Sequence, residues 1–255
     1  MPPRRHRKRI SHCKTLAFCK KLAFCKKLAF CKKIAFSQWN VITALVLVLL
    51  SLHLVLMFAG GLPEVFWYYE NFGLSWSGIT HGKVWQLLSY ALLHGDWFHL
   101  VINLFILWFV GGRVVQMLGQ RKSLEIIAAG VLVGGLLHLL SGLLPVTGYG
   151  ESYLVGISGA CFALLLALAT LSPHTRLRFM PVSGKNLGLG IVIGEALLWL
   201  MHPGFGLPVL SLLGEQMVAW GGAALFEISH ACHLGGALAG WCLARRVLAP
   251  MTTSI

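Results

Sequence analysis

Acidic side chains are scarce in this sequence: eight among 255 residues, with Asp96 the only aspartate. A catalytic pair of aspartates is therefore excluded. No HExxH occurs, so no zincin-type or site-2-type zinc centre can be drawn. Without a CxxC pair, neither a zinc ribbon nor a dithiol redox site is indicated. A GxSxG serine elbow is missing too, because Gly156-Ile157-Ser158-Gly159 runs into Ala160 and no strand precedes it. Charged residues make up only 11% of the chain, against roughly 25% in soluble domains. What is abundant is apolar: 57% of residues are hydrophobic and the mean hydropathy is +0.76, which excludes an ordinary soluble domain. Cys161, Cys232 and Cys242 lie within the apolar runs and read as small buried hydrophobes.

The net charge of +13 is concentrated: 12 of the 21 Lys and Arg fall between Arg4 and Lys33, ahead of the first long apolar run. The rest form short clusters between apolar runs, so no basic groove is drawn. Nucleic acid is not an expected partner; the surface of a lipid bilayer is. The basic segment contains near copies of CKKLAF at Cys13–Phe18, Cys19–Phe24, Cys25–Phe30 and Cys31–Phe36. A six-residue period does not match the helical repeat, so the cysteines rotate to different faces and no amphipathic stripe forms. We read it as a duplicated tail that reinforces topology.

Six apolar runs follow, at about Val41–Gly60, Leu87–Gly111, Ser123–Leu144, Ser152–Leu171, Leu187–Met201 and Ser229–Val247. Backbone polar groups in hydrocarbon must be satisfied within the segment, so these spans are expected to be helices. With a cytoplasmic N-terminus, the inner segments hold Arg113, Arg121, Lys122, Arg176, Arg178, Lys185, Arg245 and Arg246. The outer ones hold a single base, Lys83, with Glu64, Glu70, Asp96, Glu151, Glu215 and Glu227. Positive charge inside thus fits six spans with both termini cytoplasmic. A seventh span at Phe205–Ile228 would move Arg245 and Arg246 outside, so that segment is expected to be an external loop.

Polar residues inside spans are costly and point to function. The second run opens with His94, His99 and Asn103, the fourth with Gly156, Ser158 and Gly159, and the sixth with His233, Gly236 and Gly240. Spans two, four and six run in the same direction, so these residues share one depth near the outer face. The chemistry they permit is acyl transfer. A serine hydroxyl becomes a nucleophile when a neighbouring base takes its proton, and histidine can do so near neutral pH. His99 and Asn103, four apart, project from one helical face as donors to a developing oxyanion. Gly236 and Gly240 give the sixth helix a flat face for close approach to the fourth, bringing His233 to Ser158. With Asp96, Glu195 and Glu227 as the only acids near the right regions, a dyad is the simpler reading. Glu195, midway along the fifth run, is either protonated or faces a watered cavity, and no role follows for it. His230 and Cys232 beside His233 are not read as metal ligands, and no cofactor is expected.

These residues resemble the rhomboid intramembrane serine proteases. The likeness runs from about Gly82 to Gly240. It rests on the Trp85-Gln86-Leu87 entry, the run His94, His99 and Asn103, Gly111-Gly112, GxSG at Ser158, and HxxGxxxG at His233. The resemblance implies an all-α polytopic membrane protein with a six-helix rhomboid-like bundle. Ser158 is then the nucleophile and His233 the general base. His99, Asn103 and the Ser158 amide bind the oxyanion, with Gly156 beside them, and the loop before the sixth span caps the site. His94, Gly159, Gly236 and Gly240 are structural. Where the family often has Tyr stacked on the catalytic histidine, this chain has Phe162. Gln86 stands where Arg is usual, Val115 lies near the place of a common Glu, and the loop Pro203–Ile228 is long.

The implied organisation is a basic tail over 1–40, a membrane domain over 41–248 and a short tail over 249–255. The implied location is a bacterial inner membrane, with the site towards the periplasm and transmembrane proteins as substrates. Two other readings share most of these residues. One is a rhombosortase-type enzyme acting on C-terminal anchors. The other is a non-catalytic rhomboid-like binder, against which the intact Ser158 and His233 argue. Nothing in the sequence gives the oligomeric state.

Overall fold

The computed structural model describes residues 40–58, 62–144, 153–177 and 180–252. The basic hexads with Cys13, Cys19, Cys25 and Cys31, Glu151, Arg178 and the end of the C-terminal tail lie outside the described residues. Helix α1 (Val41–Phe58) is apolar on every side. Its start is capped by Asn40, whose Oδ1 accepts from the amides of Ile42 and Thr43 at 2.9 and 3.2 Å. Three short helices follow, α2 (Leu62–Phe72), α3 (Trp76–Thr80) and α4 (Gln86–Ser89), then a 3-10 turn at Tyr90–Leu92. Gln86 ties this segment together. It is fully buried, donates Nε2 to the carbonyl of Glu70 at 3.0 Å and accepts at Oε1 from the amide of Ser75 at 3.2 Å.

Helix α5 (Trp97–Ile106) begins at Trp97 rather than at Leu87, because Asp96 caps it: Oδ1 accepts from the amide of His99 at 2.8 Å. His94 therefore lies in the loop before the helix. A π turn at Leu107–Gly111 joins α5 to α6 (Gly112–Gly142), and within α6 Gly119 takes φ +80° and ψ 168°. That conformation breaks the helix, and glycine adopts it without steric penalty. The halves fold back on each other: Cys161 donates its thiol to the carbonyl of Asn103, while a Cβ at Gly130 would sit 2.8 Å from the Cα of Ala160. One turn of the next helix thus touches both.

Helix α7 (Ser158–Leu171) has 14 residues, about 21 Å at 1.5 Å per residue, and starts six residues later than the expected fourth span. The residues before it are extended, with Leu154 bridged to Leu74. A hairpin of β1 (Arg176–Leu177) and β2 (Met180–Ser183) leads into α8 (Gly184–Leu200), a small β element in a chain expected to be all helical. Ser183 caps α8 through the amide of Asn186, placing its start at Gly184 rather than Leu187. The segment expected to be an external loop contains a 3-10 turn, α9 (Leu210–Met217) and irregular turns. At eight residues α9 is too short to cross hydrocarbon. Helix α10 (His230–Thr252) runs past the expected end at Val247.

The centre is made by α6, α7 and α10, which approach to backbone contact. A Cβ placed on Gly236 would collide with the carbonyl oxygen of Gly159, and one on Gly240 with that of Ala163. Four residues on α10 thus match four on α7, so the two helices run parallel, with Gly236, in the second turn of α10, level with the first turn of α7. On the third side, Gly134 and Gly235 leave room for the carbonyls of Cys232 and Val133.

Among the described residues, two stretches are long and apolar enough to cross a membrane, Val41–Phe58 and Trp97–Gly142, the latter broken at Gly119; α7 is a shorter apolar helix. The burial pattern is inverted relative to a soluble protein. Phe58, Phe98, Phe105, Phe109 and Trp220 are exposed, while Gln86, His94, Asn103, His138, Ser158, His230 and His233 are buried. Such an apolar exterior suits hydrocarbon rather than water. Because Gly240 meets backbone rather than a flexible side chain, Gly240→Leu is expected to destabilise the protein by at least ~1–3 kcal/mol, read as a lowered Tm in detergent; Gly190→Leu, where a Cβ meets open space, should leave Tm nearly unchanged.

Candidate active site

Ser158 is buried and is the first residue of α7. Amides in the first turn of a helix have no earlier helical carbonyl to reach, and they form a site for negative charge. The chain enters this turn through Gly156, at φ +112°. A Cβ there would also lie 2.5 Å from Cε1 and 2.7 Å from Nε2 of His99. Gly156 therefore serves two ends: it permits the left-handed backbone and lets the His99 ring settle directly over the entry to Ser158.

One turn along α7, Phe162 stacks on the ring of His233 with centroids 4.0 Å apart and planes 11° from parallel. The phenyl ring thus keeps the stacking contact that a tyrosine would make. His94 adds an edge contact to His99 at 5.2 Å, and its carbonyl accepts from Tyr69 Oη at 3.0 Å. Burial pushes the His94 pKa down to about 3, helped by neighbouring His99 and His53, so this ring is neutral at physiological pH.

Several buried polar atoms gathered here have no hydrogen-bond partner among the described residues: His99 Nε2, Asn103 Nδ2 and His233 Nε2, together with both ring nitrogens of His94. Buried donors are normally satisfied, and exceptions call for an explanation. Because His233 Nε2 is unpaired, the bond between Ser158 Oγ and His233 Nε2 is not made in this structure. In serine–histidine enzymes a bond of this kind often forms only once substrate is bound.

The opposite side of His233 is occupied. Its Nδ1 lies 2.9 Å from Oε2 of Glu195, and the same oxygen lies 2.7 Å from Nδ1 of His230. Nε2 of His230 lies 2.7 Å from the carbonyl of Leu225. Sequence reasoning found His233 but left Glu195 without a partner. The only available signal was an acid amid an apolar helix, and its spacing to His233 spans 38 residues and a turn of irregular backbone. Glu195, His230 and His233 offer three ligand atoms within 4.8 Å of one another, the one group among the described residues that could hold a metal ion.

A family model described as Rhomboid domain matches residues 81–250. Rhomboid protease GluP of Bacillus subtilis (strain 168) is 28% identical over 163 residues, 64% of this chain and 26% of that protein. Rhomboid protease GlpG of Yersinia pestis (strain Pestoides F) is 26% identical over 187 residues, 72% of this chain and 60% of that protein. The chain spans less than two thirds of the length of either relative.

Gly156→Val is expected to displace the His99 ring and strain the entry to α7. Its measurable consequences are a Tm lowered relative to wild type and a shifted His99 ring resonance in the histidine NMR spectrum.

Proposed function

The chain belongs to the rhomboid family, and on that footing we propose that it is an intramembrane serine endopeptidase. It cleaves peptide bonds in or next to transmembrane segments of other membrane proteins. The observation that carries this reading is the set of unpaired buried nitrogens, His99 Nε2, Asn103 Nδ2 and His233 Nε2, around the first turn of α7. One is a free base. The other two are donors with nothing to bind until negative charge develops.

In this mechanism His233 Nε2 takes the proton of Ser158 as Oγ attacks the scissile carbonyl carbon. The carbonyl π electrons move to oxygen, and the oxyanion is held by His99 Nε2, Asn103 Nδ2 and the Ser158 amide. The tetrahedral intermediate collapses, the C–N bond breaks, and the leaving amine takes the proton from His233. Water then repeats the sequence on the acyl-enzyme, with His233 accepting its proton and returning it to Ser158. No metal or other cofactor takes part.

Six spans are proposed, with both termini cytoplasmic and the starts of α5, α7 and α10 towards the external side of a bacterial inner membrane. The charge asymmetry of the loops and the parallel course of α7 and α10 support this arrangement. The basic tail over 1–40 is then a cytoplasmic topology signal.

Purified protein in proteoliposomes is expected to cut a transmembrane substrate whose helix is weakened by Gly or Pro. Ser158→Ala and His233→Ala should each abolish cleavage. Asn103→Ala should lower kcat by roughly 10²–10³-fold if this donor stabilises the oxyanion. Robust cleavage by Ser158→Ala would sink the assignment.

A further inference from the structure

We propose that Glu195 is a positioning residue for His233, adding to the Ser158–His233 reading, on which this inference rests, a carboxylate that fixes the histidine's tautomer. A carbonyl oxygen only accepts, so the 2.7 Å contact with Leu225 means that His230 Nε2 carries a proton. If His230 were neutral, its Nδ1 would then present a lone pair to Glu195 Oε2, also at 2.7 Å. Two lone pairs do not hold that distance. A further proton lies between them, either on the ring, giving an ion pair, or on the carboxyl group.

Both placements give the same result at His233. The Oε2 atom is left to accept from His233 Nδ1 at 2.9 Å, so Nδ1 carries the proton. In the neutral ring Nε2, which has no partner among the described residues, then holds the lone pair. That is the tautomer a general base needs. When Nε2 takes the serine proton, the new imidazolium already has a carboxyl oxygen at its far side, the arrangement a third catalytic-site acid provides in serine proteases. Phe162, stacked on the ring face, opposes a flip of the His233 ring out of this orientation.

The distances argue against a metal at these three residues. A tetrahedral zinc ion with bonds of about 2.0–2.1 Å separates its ligand atoms by about 3.3 Å. The observed 2.7 and 2.9 Å are hydrogen-bond lengths. The plain structural alternative is that Glu195 only ties α8 to α10. The two roles separate in kinetics, because tying helices affects folding and substrate binding, whereas tautomer control affects the chemical step.

The test uses the full chain in proteoliposomes, with Glu195→Gln and Glu195→Leu beside wild type. The glutamine can still accept from Nδ1–H but carries no charge; leucine can do neither. We expect kcat to fall roughly 10- to 100-fold in Glu195→Gln and further in Glu195→Leu, with KM within about twofold and cleavage insensitive to chelator. Wild-type kcat in Glu195→Leu would overturn the inference, as would chelator-sensitive cleavage restored by zinc. A second readout does not depend on activity. In 15N-histidine spectra, the His233 ring, assigned with His233→Asn, should be the Nδ1–H tautomer in wild type and a mixture in Glu195→Leu. An Nε2–H tautomer in wild type, or no change on substitution, would contradict it. Failure of the protease reading itself would show differently, as absence of wild-type cleavage whatever the tautomer.

Discussion

Everything at the site depends on how closely α7 and α10 approach. Gly236 lies against the carbonyl of Gly159 and Gly240 against that of Ala163, so two helices meet at backbone distance for at least a full turn. Lipid tails are as apolar as leucine, so helices in a bilayer associate through close packing of small residues rather than through a hydrophobic driving force. This seam sets the register of Ser158 and Phe162 on one helix against His233 on the other. A one-residue slip would carry His233 about 100° around its helix, away from Phe162.

Around that seam the molecule arranges its polar groups by depth. Helices α5, α7 and α10 contribute His99, Ser158 and His233 from their first turns, and Asn103 lies one turn after His99 on α5. Beginnings are where helical amides are free and where caps can be supplied: Asp96 caps α5, and Ser229 Oγ accepts from the amide of Cys232 at the start of α10. The short α7 is part of the same design. Because the chain stays extended before Gly156, the helix starts with Ser158 itself, whose amide opens its first turn.

The sequence made these features legible to different degrees. Composition and loop charge identified a membrane chain, and the spacing of His99 with Asn103 and of Gly236 with Gly240 placed each pair on one helical face. Helix starts were less legible, because they depend on caps and extended segments: Asp96 moved α5 from Leu87 to Trp97, and the Leu74–Leu154 bridge shortened α7. Gln86, legible only as a departure from the family pattern, holds the segment before α5 through buried amide bonds. Glu195 was the least legible of all. A carboxylate in an apolar helix signals a partner, but the partner depends on how α8 packs against α10, which no local pattern encodes.

The central claim is that Ser158 is an activated nucleophile, and reaction with a fluorophosphonate probe measures this most directly, free of any assumption about substrate. Wild-type protein is expected to be labelled covalently and Ser158→Ala to remain unlabelled at the same probe concentration. Equal labelling of both proteins, or none of folded wild type, would contradict the account.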